Sequence, residues 1–354
     1  MSIVFAILLF SFLIFIHEFG HFITAKLSGV QVNEFAMFMG PAIWKKQVGE
    51  TLYSIRCVPI GGYCAMEGEE ADTDNPRSFQ KAAWWKRLII LVAGAVMNFI
   101  SGFLLVALVN ACLYQPVPQV EYLRTGSTLA WEGGLQAGDT ILEMNGREVE
   151  STIDFTAILN EDLTVTEFDV LVLRNGQEML LNDVTMVPRE FEANEEGEAG
   201  TFYGIQWSVR RLTFGEVLKS AWEDCVYFVK MVWMSLGMLV SGEAQISDMS
   251  GPVGIVAMMN ETAQASQTTL DALLNLCYLG AFIAVNLAVM NLLPIPALDG
   301  GRVVALLITT AVEAVTHKKI DPKYEGYIHG AGMLLLLGLM AVVMLKDVFV
   351  LFRG

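Results

Sequence analysis

The chain has 354 residues, 54% of them hydrophobic and only 17% charged, with a mean hydropathy of +0.50 and a net charge of -16. A single soluble globule, about a quarter charged, is excluded, as are a disulfide scaffold with only five Cys and a disordered chain. An isoelectric point near 4.7 argues against nucleic-acid binding. A membrane protein is left, with its acidic charge concentrated somewhere.

The first predicted element is a span from Ile3 to about Leu27, long enough for a ~30 Å hydrocarbon core, which needs ~20 apolar residues. It is not read as a signal peptide, because it lacks a basic leading region and a small-residue cleavage site. It also carries His17-Glu18-Phe19-Gly20-His21. Residues four apart share a helix face, so His17 and His21 can hold one metal ion, and Glu18 can act on water beside it. Each ionisable side chain at membrane depth costs about 2.5–3.5 kcal/mol. Three within five residues therefore demand a metal or a partner.

Between the first two spans, Phe38 to Ala65 contains two β-like runs, FMGPAIWKK and TLYSIRCVPIGGYCAM, separated by Gly-rich turns. A hairpin is expected, with an edge able to take an unwound peptide by strand addition. The second span runs from Leu88 to Tyr114, after an interfacial anchor of Trp84, Trp85, Lys86 and Arg87. The region from Gln115 to Arg210 then holds 18 acidic and 5 basic residues, net -13. The rest of the chain is close to neutral. Short alternating runs and the turn Asn145-Gly146 predict a separate β-rich domain here.

Thr213 to Val240 alternates charges with aromatics and Met, as in a helix lying in the membrane interface, although hydrophobicity alone also allows a complete span; a linker follows. The third span runs from Ala272 to about Leu293 and meets Asn291-Leu-Leu-Pro-Ile-Pro-Ala-Leu-Asp299-Gly-Gly301. Pro294 and Pro296 break the helix there. Unwound backbone at this depth is tolerated only beside protein or a wet cavity, which marks a site. The fourth span runs from Ile328 to Phe352. The fold class expected is a multi-pass α-helical membrane protein with four spans, a membrane-associated β-hairpin and an inserted β-rich domain.

Catalytic zinc takes three protein ligands. Of the remaining His, His317 lies in the last inter-span loop and His329 at the edge of span four, so Asp299 is the better third ligand. Lys and Arg gather between spans one and two and between spans three and four, which orients both segments toward the cytoplasm. The N-terminus and the acidic domain then lie outside, and the metal lies toward the cytoplasmic half. If both motifs share one metal, spans one and three run the same way, so the amphipathic segment at 213–240 stays on the outer surface. On the residues alone, a metal transporter that would not need Glu18 and a scaffold with a structural metal remain open.

HEFGH in the first span, NLLPIPALDGG in a later one and an insert between spans two and three together resemble the site-2 protease family of intramembrane zinc metalloproteases, its RseP-type branch above all. Within the insert, GGLQAGDTILEMNGREV (Gly133 to Val149) resembles the core of a PDZ domain, with Ala137 where Pro is usual. The resemblance covers essentially the whole chain. It implies Zn2+ held by His17, His21 and Asp299, with Glu18 as general base. It implies substrate-binding roles for Asn286 and Asn291. It places Gly94 and Asn98 near the site, in AGAVMNF, where Ala95 replaces the usual Pro. It implies cleavage of single-pass transmembrane proteins, such as anti-sigma factors or remnant signal peptides, in the lipid bilayer of a bacterial plasma membrane. An upstream site-1 protease would act on the same substrate. The four regions expected are 1–114 with HExxH and the hairpin, 115–210 as one PDZ-like domain, 211–271 as surface helix and linker, and 272–354 with the LDG motif.

Overall fold

The computed structural model describes residues 2–69, 73–129, 131, 134–162, 164–192, 200–243, 251–266, 268–317 and 323–353. Two compact units result: residues 110–217 form one, and the segments before and after it form the other.

The larger unit begins with α1 (Ser2–Ser28), a helix of 27 residues, about 40 Å at 1.5 Å per residue. The hairpin strands β1 (Val32–Val48) and β2 (Thr51–Met66) follow, joined at Gly49 and Glu50. These strands fold over on themselves. Residues 34–37 of β1 pair with 62–65 on one side and with 52–55 on the other. The run 62–66 is therefore an outer edge of the sheet. Left-handed backbone at Gly40 (φ 84°) and Gly61 (φ 78°) accompanies the bends.

α2 (Trp84–Cys112) starts earlier than the span expected from Leu88. Trp84, Trp85, Lys86 and Arg87 are all helix-compatible and so join the first turn rather than standing before it. Tyr114, expected to end that span, instead opens a strand, because Pro116 and Pro118 cannot continue a helix.

The smaller unit is β-rich. β3 (Tyr114–Leu123), β4 (Thr140–Met144) and β5 (Arg147–Glu148) come first, then α3 (Thr152–Glu161). β6 (Glu167–Arg174), β7 (Gln177–Thr185), β8 (Arg189–Phe191), β9 (Gly200–Phe202) and β10 (Ile205–Arg211) complete it. The main sheet has the order β10-β3-β4-β6-β7, with β5 on β4, while β8 and β9 pair separately. Asn145-Gly146 and Asn175-Gly176 turn the chain with positive φ at both residues, as a two-residue hairpin of the right twist requires. Ser151 and Asp154 cap α3 reciprocally. Phe155, Ile158 and Leu159 of that helix pack with Ile141, Val170 and Val172 of the sheet. Arg174 and the buried Asp139 form a two-pronged ion pair at 2.6 and 2.7 Å.

The chain returns to the larger unit through α4 (Phe214–Ser241), whose Ala221, Cys225 and Phe228 pack with Val106 of α2 and Ala281 and Val285 of a later helix. The stretch read as linker contains α5 (Pro252–Ala265), begun by a Pro in its first turn. Met259 of α5 is buried against Leu9 and Leu13 of α1. α6 (Thr269–Asn291) opens on a capping box of Thr268 and Asp271, three residues before the expected start of span three. α7 (Asp299–Thr316) and α8 (Lys323–Arg353) follow. Among the described residues four helical segments are long and apolar enough to cross a membrane: Val4–Ser28, Trp84–Cys112, Thr269–Asn291 and Gly326–Met344. Close backbone approach joins α2 to α6, where a Cβ on Gly102 would lie 3.0 Å from the Ala281 carbonyl oxygen.

Candidate metal centre

His17 and His21 lie one turn apart on α1, and the 3.6-residue period turns both rings to one side. Their Nε2 atoms are 3.2 Å apart. The Pro294 and Pro296 break ends α6 and redirects the chain, so that α7 begins at Asp299. Asp299 Oδ2 lies 3.1 Å from His17 Nε2 and 3.3 Å from His21 Nε2. The three atoms form a nearly equilateral triangle. Three ligands of a tetrahedral zinc, each about 2.0–2.1 Å from the ion, sit about 3.3 Å from one another.

α2 supplies the back wall. A Cβ on Gly94 would lie 2.4 Å from His21 Nε2 and 2.8 Å from His17 Nε2, so only glycine leaves room for both rings. Gly20, at the centre of HEFGH, has the matching role on α1: its Cβ would lie 2.5 Å from the Ala93 carbonyl oxygen. The two helices thus touch backbone to backbone beside the rings. His21 Nδ1 lies 2.8 Å from the Ile90 carbonyl oxygen and donates to it. That proton fixes the tautomer and leaves the Nε2 lone pair pointing into the triangle. The Asn98 amide lies 3.4 Å from His17 Nδ1, and its Oδ1 is otherwise buried without a hydrogen-bond partner. Turned to present that oxygen, the amide accepts from His17 Nδ1 and gives His17 the same tautomer.

With both Nδ1 atoms protonated, two imidazole lone pairs face a buried carboxylate oxygen that has no hydrogen-bond donor. Three acceptors so close repel one another unless a cation lies between them. Two nitrogens and one oxygen at tetrahedral spacing suit zinc.

Glu18 lines the same cavity, of about 670 Å3, with His17, His21 and Asp299. Its wall includes residues 62–66 of the hairpin edge. Glu69 and Arg302 form an ion pair at this wall, Arg302 one turn beyond Asp299. Asn286 and Asn291 are half-buried on α6 and are not among the residues lining the cavity.

Sequence comparison matches residues 5–339 to peptidase family M50, the site-2 proteases. The chain belongs to this family. A Clostridium acetobutylicum relative bearing a zinc-metalloprotease name is 38% identical over 348 residues, covering 98% of this chain and 97% of its own. Zinc metalloprotease RasP of Oceanobacillus iheyensis is 30% identical over 443 aligned residues, with 99% of each chain covered. Regulator of sigma-W protease RasP of Bacillus subtilis is 26% identical over 431, with 98% of each covered. This M50 chain is accordingly a zinc metalloprotease and a membrane protein.

Sequence reasoning reached the four residues of the two motifs, Gly94 and Asn98. It missed the Ile90 carbonyl, which carries no sequence signal because every residue has one. Gly20 carries no signal beyond its place in HEFGH. His329 does not join the triangle; its Nδ1 accepts the Ala297 N–H at 3.0 Å.

Proposed function

We propose that the chain is an intramembrane endopeptidase whose zinc is held by His17, His21 and Asp299, with Glu18 as general base. The observation that carries this is the triangle of Nε2, Nε2 and Oδ2 atoms with edges of 3.1–3.3 Å. When bound, zinc supplies Lewis acidity, polarising a carbonyl and acidifying water. Glu18 takes the proton of the attacking water and delivers it to the leaving amine. Ile90 and Asn98 hold the imidazoles in the tautomer that keeps Nε2 free.

A substrate helix hides its carbonyls in its own hydrogen bonds and must unwind before attack. The outer edge at residues 62–66 lines the cavity and offers unwound backbone a strand to pair with. Asn286 and Asn291 would hold further freed backbone groups along α6. The substrates are transmembrane segments of single-pass proteins, anti-sigma factors or remnant signal peptides among them. The name of the Bacillus subtilis relative, a regulator of sigma-W protease, supports the first of these. An upstream site-1 protease would trim the outer part of the substrate beforehand.

The region 115–210 would be a PDZ-like filter outside the plasma membrane, excluding substrates with bulky outer domains. Regions 1–114 and 272–354 would form the catalytic core, with the N-terminus outside and the zinc toward the cytoplasm. Segment 211–271 would lie along the outer surface. The deciding experiment is Glu18→Gln in purified protein with a transmembrane test substrate. Cleavage should vanish while zinc stays bound. Cleavage at the wild-type rate would refute the general-base role.

A further inference from the structure

Ala297 stands two residues before Asp299, in the segment that leads from the Pro break into α7. Its φ is +80°, left-handed backbone that a residue with a Cβ disfavours. Its N–H donates to His329 Nδ1 on α8 at 3.0 Å. One turn further along α8, a Cβ on Gly332 would lie 2.5 Å from Pro296 Cβ and 2.7 Å from the Pro296 carbonyl oxygen. α8 therefore lies directly against Pro296, and His329 reaches the next residue from the same face. The opposite side is equally close. A Cβ on Gly300 would lie 2.3 Å from the Leu292 and Leu293 carbonyl oxygens, and one on Gly301 2.3 Å from that of Ile295. The segment is clamped between the first turn of α7 and α8, with Ala297 and Asp299 both on the cavity wall.

We propose that His329 is the positioning residue for Asp299. It accepts the Ala297 N–H and so holds residue 297 in its left-handed conformation. That conformation sets the direction in which the next residues enter α7, and hence where the Asp299 carboxylate meets the two imidazoles. Nδ1 is the acceptor, so the ring proton resides on Nε2. Without that acceptor, the Ala297 N–H loses the hydrogen bond that ties residue 297 to α8. The backbone then relaxes toward negative φ and carries Asp299 out of the triangle. This inference rests on the reading of Asp299 as a zinc ligand.

The test uses the full chain purified in detergent, with zinc affinity measured by chelator competition and the visible absorption of the cobalt-substituted protein as a report on ligand geometry. His329→Ala should weaken zinc 10- to 100-fold, the range for groups that orient metal ligands, and change the cobalt spectrum. His329→Asn places its Oδ1 close to where Nδ1 was and should restore affinity and spectrum. Asp299→Asn should lose zinc altogether. If His329→Ala binds zinc and cobalt like wild type while Asp299→Asn does not, the positioning role is wrong and the ligand reading stands. If Asp299→Asn keeps wild-type affinity, the ligand reading itself fails. Should His329→Ala misfold, His329→Asn decides: a folded variant that still binds weakly overturns the proposal.

Discussion

Gly94→Ala is the sharpest probe of how α2 shapes the proposed zinc site. The added methyl would sit 2.4 Å from His21 Nε2, 2.7 Å from His17 Cε1 and 2.8 Å from His17 Nε2. Ordinary carbon contacts begin near 3.5 Å, so the overlap is about 1 Å. The clash falls on backbone-fixed Cβ on one side and on rings tied to Ile90 and Asn98 on the other. Relief requires either α2 to withdraw or the imidazoles to swing by a comparable distance. Metal–ligand distances tolerate about 0.2 Å, so a shift of this size costs at least what loss of a ligand-orienting group costs, up to about 100-fold in affinity. Zinc affinity should therefore fall at least about 100-fold, or about 2.7 kcal/mol. Chelator competition on the detergent-purified chain measures it. Gly338→Ala is the control, since nothing lies within 4 Å of its Cβ position, and it should bind zinc like wild type. Wild-type affinity in Gly94→Ala would refute the close approach of α2 and the placement of the zinc between these rings.

Two further outcomes concern stability. Hydrogen bonds from Arg77 and Lys26 hold the Glu50 carboxyl down to about 2 from an ordinary 4.5. Its support of the hairpin turn is present in full above the ordinary value and is lost as pH falls from there toward 2. Protection of residues 45–54 against hydrogen exchange, taken relative to the intrinsic rate at each pH, should fall through that window in wild type, and Glu50→Gln should remove the dependence; equal pH profiles would refute it. In the β-rich unit, Arg174→Met leaves Asp139, 1% exposed, without its guanidinium partner and, among the described residues, with only the Gln136 N–H at 2.8 Å. Breaking a buried pair this way costs about 3–5 kcal/mol. Hydrogen exchange in β4 and β6 of the full chain should show that loss, and unchanged protection would mean the pair contributes nothing.

Local rules made much of this protein legible before any coordinates. Runs of about 20 apolar residues can only be satisfied as helices in hydrocarbon, so α1, α2, α6 and α8 follow from composition. Their ends did not. Trp84 to Arg87 joined α2, and Thr268 began α6 early, because caps and amphipathic residues decide helix ends more than hydropathy does. The hairpin was legible as two strands. Its doubling over residues 34–37, which leaves 62–66 as an edge, was not, since pairing between distant residues has no periodic trace. α5 and α7 escaped as well: with 14 and 18 residues they fall short of a full span, and their buried residues acquire meaning only against α1, α2 and α6.

The sequence by itself determined that His17 and His21 stand together, because four residues on a helix is a distance the backbone enforces without help. It determined that the chain must break at Pro294 and Pro296, and that the negative charge sits in one insert. Tertiary structure alone decided the rest of the site. The meeting of Asp299 with two imidazoles, the hydrogen bond to the Ile90 carbonyl and the fit of Gly94 against both rings join segments far apart in the chain. Such contacts depend on how helices pack, and packing is a property of surfaces in space rather than of neighbours in order.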